Sequence, residues 1–403
     1  MMALQRILLS VWWLACGWSV ACDGSTTFLG ESDGGGDVST DTYWPAPLDA
    51  SGDETSWRDS SAPWTPPPVP YCEGQSYPMP FDLWSDATGL YVLYGWEQVR
   101  PDPHGTGSWM VDQPPMLTIS HNGGLGWTEF YSGTCERSSG CLNRIGGILE
   151  GRLLGWGSYG PVYGFEPGMV ERMWDELYNI DSLFVVNDHL AYAMWQAGPD
   201  SRLVHYDGTS WAPVPVALPF ESAMYGKIWA DEDNVFVAGG SAVLLSLDGD
   251  TWRIHDPGTV SDLGAIWGFG GDDVWVGTFD GKLKHFDGTA WSDVPWSSRD
   301  DGSICNENKP IQGMWGADGI LYFITETQFA RWDGTQVEVL AHWPRIYTDT
   351  FNCVGDLTPV ALWGNSPTEV FLLVGRPTGR GGWGTWCDGV AVLWWDGTTL
   401  RQI

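Results

Sequence analysis

A four-strand pattern that recurs along the chain constrains its fold more than any other feature of the sequence. The pattern is clearest between Leu263 and Pro295, where four short runs of aromatic and β-branched residues are separated by turns. Two of these turns contain Asp280-Gly281 and Asp287-Gly288, and an Asp-Gly pair supplies the positive backbone angles of a tight hairpin. Because one such sheet cannot bury both of its faces, the pattern predicts several copies that pack on one another.

Further copies of the pattern are marked by a Trp in the first strand and by an Asp-Gly turn. The Trp recurs at intervals of 38, 48 and 48 residues, at Trp229, Trp267, Trp315 and Trp363, with Trp84 much earlier. The turn recurs at Asp207, Asp248, Asp287, Asp333 and Asp396. Two more units fill the remaining gap: 183–213 has Phe184 in the Trp position, and 145–177 keeps only the strand lengths.

These units predict an all-β fold, a single seven-bladed β-propeller in which each sheet covers the exposed face of its neighbour. Rings of six or eight blades and a flat solenoid are the alternatives. The segment Thr398 to Ile403 is expected to form the outermost strand of the last blade, so that no strand is borrowed from the N-terminus. The 53 Gly and 26 Pro favour many turns over long helices, and most of the 28 Trp are interpreted as blade core.

The charge balance of the chain argues against two classes of partner. It contains 51 acidic and 19 basic residues, which gives a formal net charge of −32. A field of this sign repels phosphate backbones and anionic lipid heads, so no nucleic-acid partner is expected. Contact with a membrane is expected through an attached lipid alone.

The N-terminal part of the chain reads as an export signal followed by a tether. Arg6 precedes a short apolar run, and Ser19-Val20-Ala21-Cys22 has the form of a lipoprotein cleavage site, with Cys22 as the acylated residue. Plain signal cleavage before Cys22 is the alternative, and Cys16 is a weaker rival. The predicted organisation is therefore a lipoprotein signal peptide over 1–21, an acidic and proline-rich disordered tether over 22–70, and the propeller over 71–403.

The repeats carry a resemblance to a known group of proteins. Motifs of the form W-G…D-V-W-V…G…H-x-D-G-T-x-W, which cover nearly all of 71–403, resemble the repeats of propeller lipoproteins of myxobacteria-like Gram-negative bacteria. The turn at Ser120, Asn122, Gly124 and Trp127 is similar to the Asp-box of sialidase-type propellers, which is a structural hairpin and implies no reaction. The resemblance implies a lipid-anchored protein of a Gram-negative envelope, at the outer membrane or cell surface rather than the inner membrane.

Motifs for catalysis, cofactors and metals were sought along the chain. It has no His-Glu-x-x-His zinc helix, no Gly-x-Ser-x-Gly elbow and no phosphate-binding loop, so no cofactor, metal or enzymatic activity is expected. His205 and His285 occupy the same repeat position and are interpreted as strand residues. Four carboxylates in the first turns could suggest a calcium site: Asp231, Asp233, Asp272 and Asp273. Because they occupy equivalent turns, we interpret them instead as acceptors of hydrogen bonds from nearby backbone N–H groups.

The long connections of the predicted propeller all fall on one face. They are 95–115, 196–201, 297–310, 342–358 and 376–388. Long loops on a rigid scaffold often carry binding, although tolerated drift on an idle surface is the alternative. The last of these connections is a Gly-rich insert with four of the candidate ligand-binding residues: Arg376, Arg380, Trp383 and Trp386. The other two candidates, Trp109 and His104, lie in the first connection. The competing interpretation is that Trp383 and Trp386 pack on the last blade.

Six cysteines remain after export and lipidation, an even number that suits disulfides in an oxidising compartment. All six fall on the long-loop face, and neighbouring blades favour one of fifteen possible pairings. That pairing is Cys135–Cys141, Cys305–Cys353 and Cys72–Cys387.

The sequence as a whole predicts a monomeric, non-catalytic and lipid-anchored interaction module of the cell envelope. Its expected partner is an envelope protein or a polysaccharide. The alternative is a carbohydrate-active enzyme, of glycosidase or lyase type, whose carboxylates are assembled on the propeller scaffold.

Overall fold

The computed structural model describes a β-rich body that starts at residue 76. The described residues are 76–403 except for 102–107, 121–127, 133–141, 158–159, 167–168, 198–199, 217–225, 240–243, 249–250, 297–309, 344, 348–352, 356–357 and 376–390. No helix within these ranges is long and apolar enough to cross a membrane. The predicted signal peptide, Cys22 and the predicted tether lie outside the described residues.

Seven four-stranded antiparallel sheets account for almost all of the described strands. Sheet 1 contains β1 (Ser76–Ser85), β2 (Leu90–Pro101), β3 (Ser108–Ser120) and β4 (Thr128–Ser132). Sheet 2 contains β5 (Arg144–Leu149), β6 (Arg152–Trp156), β7 (Pro161–Glu166) and β8 (Met169–Tyr178). Sheet 3 contains β9 (Ile180–Asn187), β10 (Leu190–Ala197), β11 (Asp200–Tyr206) and β12 (Trp211–Pro213). Sheet 4 contains β13 (Lys227–Ala230), β14 (Asn234–Ala238), β15 (Leu244–Asp248) and β16 (Thr251–His255).

The remaining sheets follow the same order. Sheet 5 contains β17 (Leu263–Gly270), β18 (Asp273–Thr278), β19 (Leu283–Phe286) and β20 (Trp291–Val294). Sheet 6 contains β21 (Ile311–Ala317), β22 (Ile320–Thr325), β23 (Gln328–Trp332) and β24 (Val337–His342). Sheet 7 contains β27 (Thr358–Ser366), β28 (Glu369–Gly375), β29 (Ala391–Trp395) and β30 (Leu400–Gln402). A two-stranded hairpin, β25 (Arg345–Tyr347) and β26 (Cys353–Gly355), lies between sheets 6 and 7.

The first strands of the seven sheets form a closed ring, which makes the fold an all-β propeller as predicted. Each first strand contacts the first strand of the next sheet, and β27 of sheet 7 contacts β1 of sheet 1. Each predicted sequence unit forms one of these sheets, including 145–177, which carries the weakest pattern. The prediction that the last sheet is complete in itself is confirmed, because β30 is its fourth strand and pairs with β29.

The core lies between neighbouring sheets, where the side chains of facing strands interdigitate. Between sheets 4 and 5, for example, Trp229, Phe236, Val274 and Val276 form one buried cluster. Burial of side chains of this size contributes about 1.5–3 kcal/mol each, so the ring is held together by the contacts that repeat at each sheet boundary. The interpretation of the first-strand Trp residues as core holds for Trp84, Trp229 and Trp315, which are buried.

The Asp-Gly turns form as the sequence predicts. In sheet 5 the Oδ1 atom of Asp287 accepts hydrogen bonds from the backbone N–H groups of Thr289 and Ala290, at 2.9 and 2.8 Å. Gly288 has a φ of +86°, in the left-handed region that favours glycine. The hydroxyl of Thr289 and these two N–H groups lower the pKa of Asp287 to about 2. The same arrangement recurs at Asp207, Asp333 and Asp396.

Three of the predicted long loops contain strands instead. In 196–201, β10 runs to Ala197 and β11 starts at Asp200, and these two residues pair. Much of the insert 95–115 continues β2 and β3 as an extended ladder, in which Glu97 pairs with Asp112 and Arg100 with Trp109. The connection 342–358 contains the hairpin of β25 and β26. The alternation of β-branched and aromatic residues in the first insert, as in Trp96, Val99 and Val111, is the local signal that the loop prediction missed.

Candidate binding site on the axis of the ring

One end of the ring gathers the starts of all seven first strands. Within each antiparallel sheet the first strand starts at the same end at which the second strand ends and the third begins. The connections between sheets arrive at this end too. It carries the hairpin of β25 and β26 and the extended ladder of β2 and β3, and we call it the long-loop face. The Asp-Gly turns between the third and fourth strands lie at the opposite face.

Four consecutive first strands place a charged residue near the long-loop face. These residues are Asp82 in β1, Arg144 in β5, Asp181 in β9 and Lys227 in β13, and we call them the axial charged cluster. All four are part-buried. Electrostatic interactions link Lys227 to each of the other three, so the ring brings together side chains from four sheets.

The first strands of sheets 5, 6 and 7 carry small residues at the equivalent position. They are Ala265, Gly313 and Ala361, each two residues before the first-strand Trp, as Asp82 is in β1 and Lys227 in β13. In all three strands the register shifts just before this residue. A β-bulge re-aims the side chains around it, and bulges are frequent at the rims of barrels and next to functional sites. The side chains of Ala265 and Ala361 are buried in the clusters between sheets 5 and 6 and between sheets 7 and 1.

The carboxylate of Asp82 is engaged by the backbone on both of its oxygens. Oδ1 accepts a hydrogen bond from the N–H of Leu83 at 3.0 Å, and Oδ2 accepts one from the N–H of Ile145 at 3.1 Å. The second bond ties sheet 1 to sheet 2. Burial raises the pKa of Asp82, while the positive charge of Arg144 and the two N–H groups oppose this rise. Asp82 thus has a structural partner for each oxygen.

The two cations of the cluster have no such partners. Neither Arg144 nor Lys227 makes a hydrogen bond or an ion pair with another residue in the part of the chain that the structure describes. Burial and the positive charge of Arg144 lower the pKa of Lys227 to about 8, although Asp82 and Asp181 oppose this shift. The cluster therefore holds two positive and two negative groups, and Lys227 interacts with both Asp82 and Asp181.

Aromatic side chains occupy the axis behind the charged cluster. The ring of Trp267 in sheet 5 lies 6.5 Å from Phe184 of sheet 3 and 5.8 Å from Trp363 of sheet 7, measured between ring centroids. Each contact skips the sheet in between, so Trp267 reaches across the ring. We call Phe184, Trp267 and Trp363 the axial aromatic cluster. It lies two to three residues further along the first strands, about 7–10 Å from the charged residues.

The two clusters together place charged groups towards the long-loop face and aromatic rings further along the first strands. Arg144 and Lys227 can donate hydrogen bonds to an anionic group, and the rings behind them can contact an apolar one. The indole N–H of Trp267 has no acceptor among the described residues and is a further donor on the axis. The chemistry of this arrangement is that of binding.

The candidate ligand-binding residues predicted from sequence are not placed by the structure. Arg376, Arg380, Trp383, Trp386 and His104 lie outside the described residues. Trp109 lies in β3, opposite Arg100, but its side chain is outside the described set. The same holds for the predicted disulfides: five of the six cysteines are outside, and of Cys353 only its position in β26 is described.

One predicted carboxylate has a different role from the expected one. Asp231 accepts the backbone N–H groups of Asp233 and Asn234, which confirms the turn interpretation at that position. Asp273 instead accepts the side-chain N–H of Trp275 and contacts Nε2 of His285, both at 2.8 Å, while the rings of Trp275 and His285 stack at 4.1 Å. The turn prediction was wrong for Asp273, because its partners are side chains: Trp275 lies two residues along the same strand, and His285 lies on the facing strand β19.

The His residues of the repeat lie in strands as predicted, His205 in β11 and His285 in β19. No group of three or more metal-ligating side chains is gathered within the ranges that the structure describes. Sequence reasoning did not identify the axial charged cluster. Its signal was present in the repeat, since the position two residues before the first-strand aromatic is charged in Asp82 and Lys227 but small in Ala265 and Ala361.

The chain was compared with known proteins. Neither protein-family models nor curated proteins give a match. Among solved structures it is similar to the WD40 β-propeller domain of Doa1 (11% identity, TM-score 0.48, 80% of this chain and 93% of that one). It is also similar to BamB from Moraxella catarrhalis (18%, 0.40, 64% and 73%) and to YCF48 bound to D1 peptide (12%, 0.43, 65% and 93%). At these identities and TM-scores the comparisons carry no functional argument, and the propeller assignment stands on the closed ring of sheets.

Proposed function

We propose that this protein is a non-catalytic binding module of a Gram-negative cell envelope, which is anchored by a lipid on Cys22 and binds a protein partner at its long-loop face. The observation that supports binding is the axial charged cluster, in which Arg144 and Lys227 have no partner among the described residues. Two part-buried cations placed together cost free energy through desolvation and mutual repulsion, and the interaction of Lys227 with Asp82 and Asp181 opposes this cost.

The same cluster favours binding over acid–base catalysis. Hydrolysis of a glycosidic bond uses a pair of carboxyl groups, one on each side of the bond. In the axial charged cluster, both oxygens of Asp82 already accept backbone N–H groups, so this carboxylate holds sheets 1 and 2 together and is not available to a substrate. Asp181, the other carboxylate of the cluster, also interacts with other residues, and the groups that remain are cations and aromatic rings, which recognise a ligand without transferring its protons.

The envelope location rests on the sequence of the N-terminal segment. A lipid on Cys22 followed by the acidic and proline-rich stretch 22–70 would hold the propeller at a distance from the membrane. A protein partner fits this position better than a polyanionic polysaccharide does, because a chain with a formal net charge of −32 repels a polymer of the same sign.

The binding face can be tested by photocrosslinking with the full-length lipoprotein in envelope preparations of its host. The crosslinker p-azidophenylalanine replaces Val260, which is fully exposed in the connection between sheets 4 and 5 at the long-loop face. A matched variant carries it at Gln336, which is exposed in an Asp-Gly turn of the opposite face. We expect a discrete protein adduct from position 260 and none from position 336.

Two results would contradict the proposal. Adducts of equal yield from both positions, or from neither, would show that the long-loop face is not a specific binding surface. Turnover of an envelope polysaccharide by the purified lipoprotein would refute the non-catalytic assignment and favour the carbohydrate-active enzyme.

A further inference from the structure

We propose that one part of the long-loop face, formed by the segments 256–262 and 278–282, docks a segment of a partner protein that carries an apolar side chain beside a Lys or Arg. We call these two segments the apolar platform. The inference rests on the proposed function, since it names the part of the long-loop face that the partner contacts and the chemistry of the contacting segment. The first segment connects sheets 4 and 5, and the second contains the connection from β18 to β19, so both lie on this face.

The apolar platform presents two of the four large apolar side chains that are exposed among the described residues. Val260 in the first segment is fully exposed, and Phe279 in the second is 39% exposed. The backbone N–H of Phe279 donates a hydrogen bond to the carbonyl of Asp262 at 2.9 Å, two residues from Val260. The N–H of Asp280 donates to Oγ of Ser261 at 3.0 Å, so the two segments run side by side. Their apolar side chains therefore belong to one continuous piece of surface.

Hydrogen bonds hold both segments of the platform in place. In the first segment the N–H of Gly258 donates to Oδ1 of Asp256 at 2.8 Å. The carbonyl of Gly258 accepts a hydrogen bond at 3.1 Å from Nζ of Lys284, a buried side chain of β19. In the second segment the carbonyl of Gly281 accepts one from the indole N–H of Trp296, also at 3.1 Å. A surface that is ordered before binding loses little conformational entropy when a partner docks, which favours binding.

The lysines of the platform and of the strand beneath it already have anionic partners. Nζ of Lys282 pairs with a carboxylate oxygen of Asp280 at 2.9 Å. Nζ of Lys284 pairs with Asp293 at 2.8 Å. Each of these two cations is therefore matched by one carboxylate of sheet 5, and neither offers an uncompensated positive charge to a ligand.

Two exposed carboxylates of the platform have no cationic partner. Asp256 and Asp262 form no ion pair within the part of the chain that the structure describes. They lie four residues before and two residues after Val260. A Lys or Arg next to an apolar side chain of the partner could pair with one of them while the apolar side chain contacts Val260 and Phe279. The platform thus combines an apolar contact with negative charge at its margin.

This charge distribution favours a protein segment over two other occupants of an apolar surface. An anionic lipid surface is repelled by Asp256 and Asp262 and by the formal net charge of −32. A second copy of this chain would bring the same net charge with it. A protein segment can place a cation directly beside an apolar side chain, and a few such contacts can supply most of the affinity of an interface.

The test uses the full-length lipoprotein in nonionic detergent and two pools of rhodamine-labelled hexapeptides. In the basic pool Leu or Phe alternates with Lys or Arg, and in the acidic pool Glu or Asp replaces the Lys and Arg. Fluorescence anisotropy measures binding, with detergent alone as the blank. We expect the basic pool to bind at least about tenfold more tightly than the acidic pool, because its cations form charge-assisted hydrogen bonds with the exposed carboxylates.

Variants assign binding to the apolar platform. Val260→Ser should weaken binding of the basic pool by at least about tenfold, because it removes a fully exposed apolar contact without a change in charge. Phe279→Ser should act in the same direction, and Asp262→Asn should reduce the preference for the basic pool. Met169→Ser is the matched control, because this apolar side chain is 44% exposed at the start of β8, on the opposite face. The control should bind as the unmodified protein does, and circular dichroism establishes that each variant is folded.

The outcomes separate this inference from the proposed function. If Val260→Ser left binding of the basic pool unchanged, or if neither pool bound at low-millimolar concentration, the platform would be overturned as the docking surface. If the crosslink from position 260 persisted in that case, the proposed function would stand and the partner would dock on another part of the long-loop face. Co-sedimentation with phosphatidylcholine vesicles that Val260→Ser abolishes would overturn the inference in favour of a lipid surface. A dimer that Val260→Ser dissociates in sedimentation velocity would overturn it in favour of a second copy.

Discussion

The pH dependence of the unfolding free energy should reveal what it costs to keep Lys227 protonated in the folded protein. Burial and the charge of Arg144 lower its pKa to about 8 from an ordinary value of 10.5. A lowered lysine pKa means that the unfolded state binds the proton more tightly than the folded state does. The penalty is therefore fully present below pH 8 and disappears as pH rises through the unfolded-state value, so this group makes the protein more stable toward alkaline pH.

The size of this effect follows from the difference between the two pKa values. One unit corresponds to about 1.4 kcal/mol, so protonated Lys227 destabilises the fold by about 3 kcal/mol near neutral pH. Between pH 7 and pH 9.5 the linkage relation gives a gain of about 2 kcal/mol in the free energy of unfolding. The measurement should stop at pH 9.5. Above pH 10 tyrosines titrate, and the hydrogen bond to Glu150 raises the pKa of Tyr206 to about 12, which reverses the sign of the trend.

Two substitutions isolate the contribution of Lys227. Lys227→Met removes the charge, so its free energy of unfolding should exceed that of the unmodified protein at pH 7 and lack the alkaline gain. Lys227→Arg keeps a charge that does not titrate, so it should lack the gain and remain the less stable variant. Urea unfolding followed by tryptophan fluorescence at both pH values measures all three proteins. An alkaline gain of the same size in all three would refute the assignment of the effect to Lys227.

Three further predictions concern the turns and the anchor. Gly288→Ala should lower the free energy of unfolding in urea by about 2 kcal/mol or more, because Gly288 has a φ of +86° and the new Cβ would lie 2.7 Å from Cβ of Asp272. The control is Gly319→Ala, at a position with a φ of +76° and open space around the new Cβ. It should lower the free energy of unfolding by about 1 kcal/mol in the same assay. Asp333→Ala should destabilise the protein in thermal melts at neutral pH but not at about pH 2. The hydroxyl of Thr335 and backbone N–H groups lower the pKa of Asp333 to about 2, so the ionised carboxylate stabilises the folded state. This stabilisation is lost as pH falls from about 4 to about 2. Cys22→Ser should move the protein from the detergent phase to the aqueous phase on partitioning, and unchanged partitioning would contradict lipidation.

Local features of the fold could be predicted from sequence because their causes lie within a few residues. The Asp287-Gly288 turn is one example, since a side-chain acceptor and a glycine in the left-handed region act within four positions. The spacing of the first-strand Trp residues predicted the individual sheets in the same way. Asp273 shows where this reasoning stops: its partner His285 reaches it only after β18 pairs with β19.

The axial site could not be predicted because it depends on closure of the ring. Asp82 and Lys227 are far apart in sequence, and neither forms a motif with its neighbours. Bulges in several first strands shift the residues that precede the aromatic position, and this shift is a property of the paired strands. Trp267 illustrates the same limit. It occupies the repeat position of a core residue, yet in the assembled ring it contacts Trp363 two sheets away.

Closure between sheets 7 and 1 is the condition on which the axial site depends. Since β30 completes its own sheet, no strand ladder among the described residues joins the two sheets. Their contact is instead made by side chains: Leu83 packs in one buried cluster with Phe371, and Nε1 of Trp363 donates a hydrogen bond to the carbonyl of Ser85 at 3.1 Å. Asn365 accepts a further bond from the Ser85 hydroxyl at 3.0 Å.

The hydrogen bond from Trp363 should therefore contribute to stability beyond the area that its ring buries. Trp363→Phe removes the donor and leaves the Ser85 carbonyl without it, which costs about 1–3 kcal/mol. Trp84→Phe is the control at the same sheet boundary, because its indole N–H has no partner among the described residues and the substitution loses ring area alone. Urea unfolding should show the larger loss of unfolding free energy for Trp363→Phe. Under oxidising conditions the predicted Cys72–Cys387 disulfide would raise the unfolding free energy of both variants by about 5 kcal/mol. A loss no greater than that of Trp84→Phe would mean that apolar packing alone closes the ring.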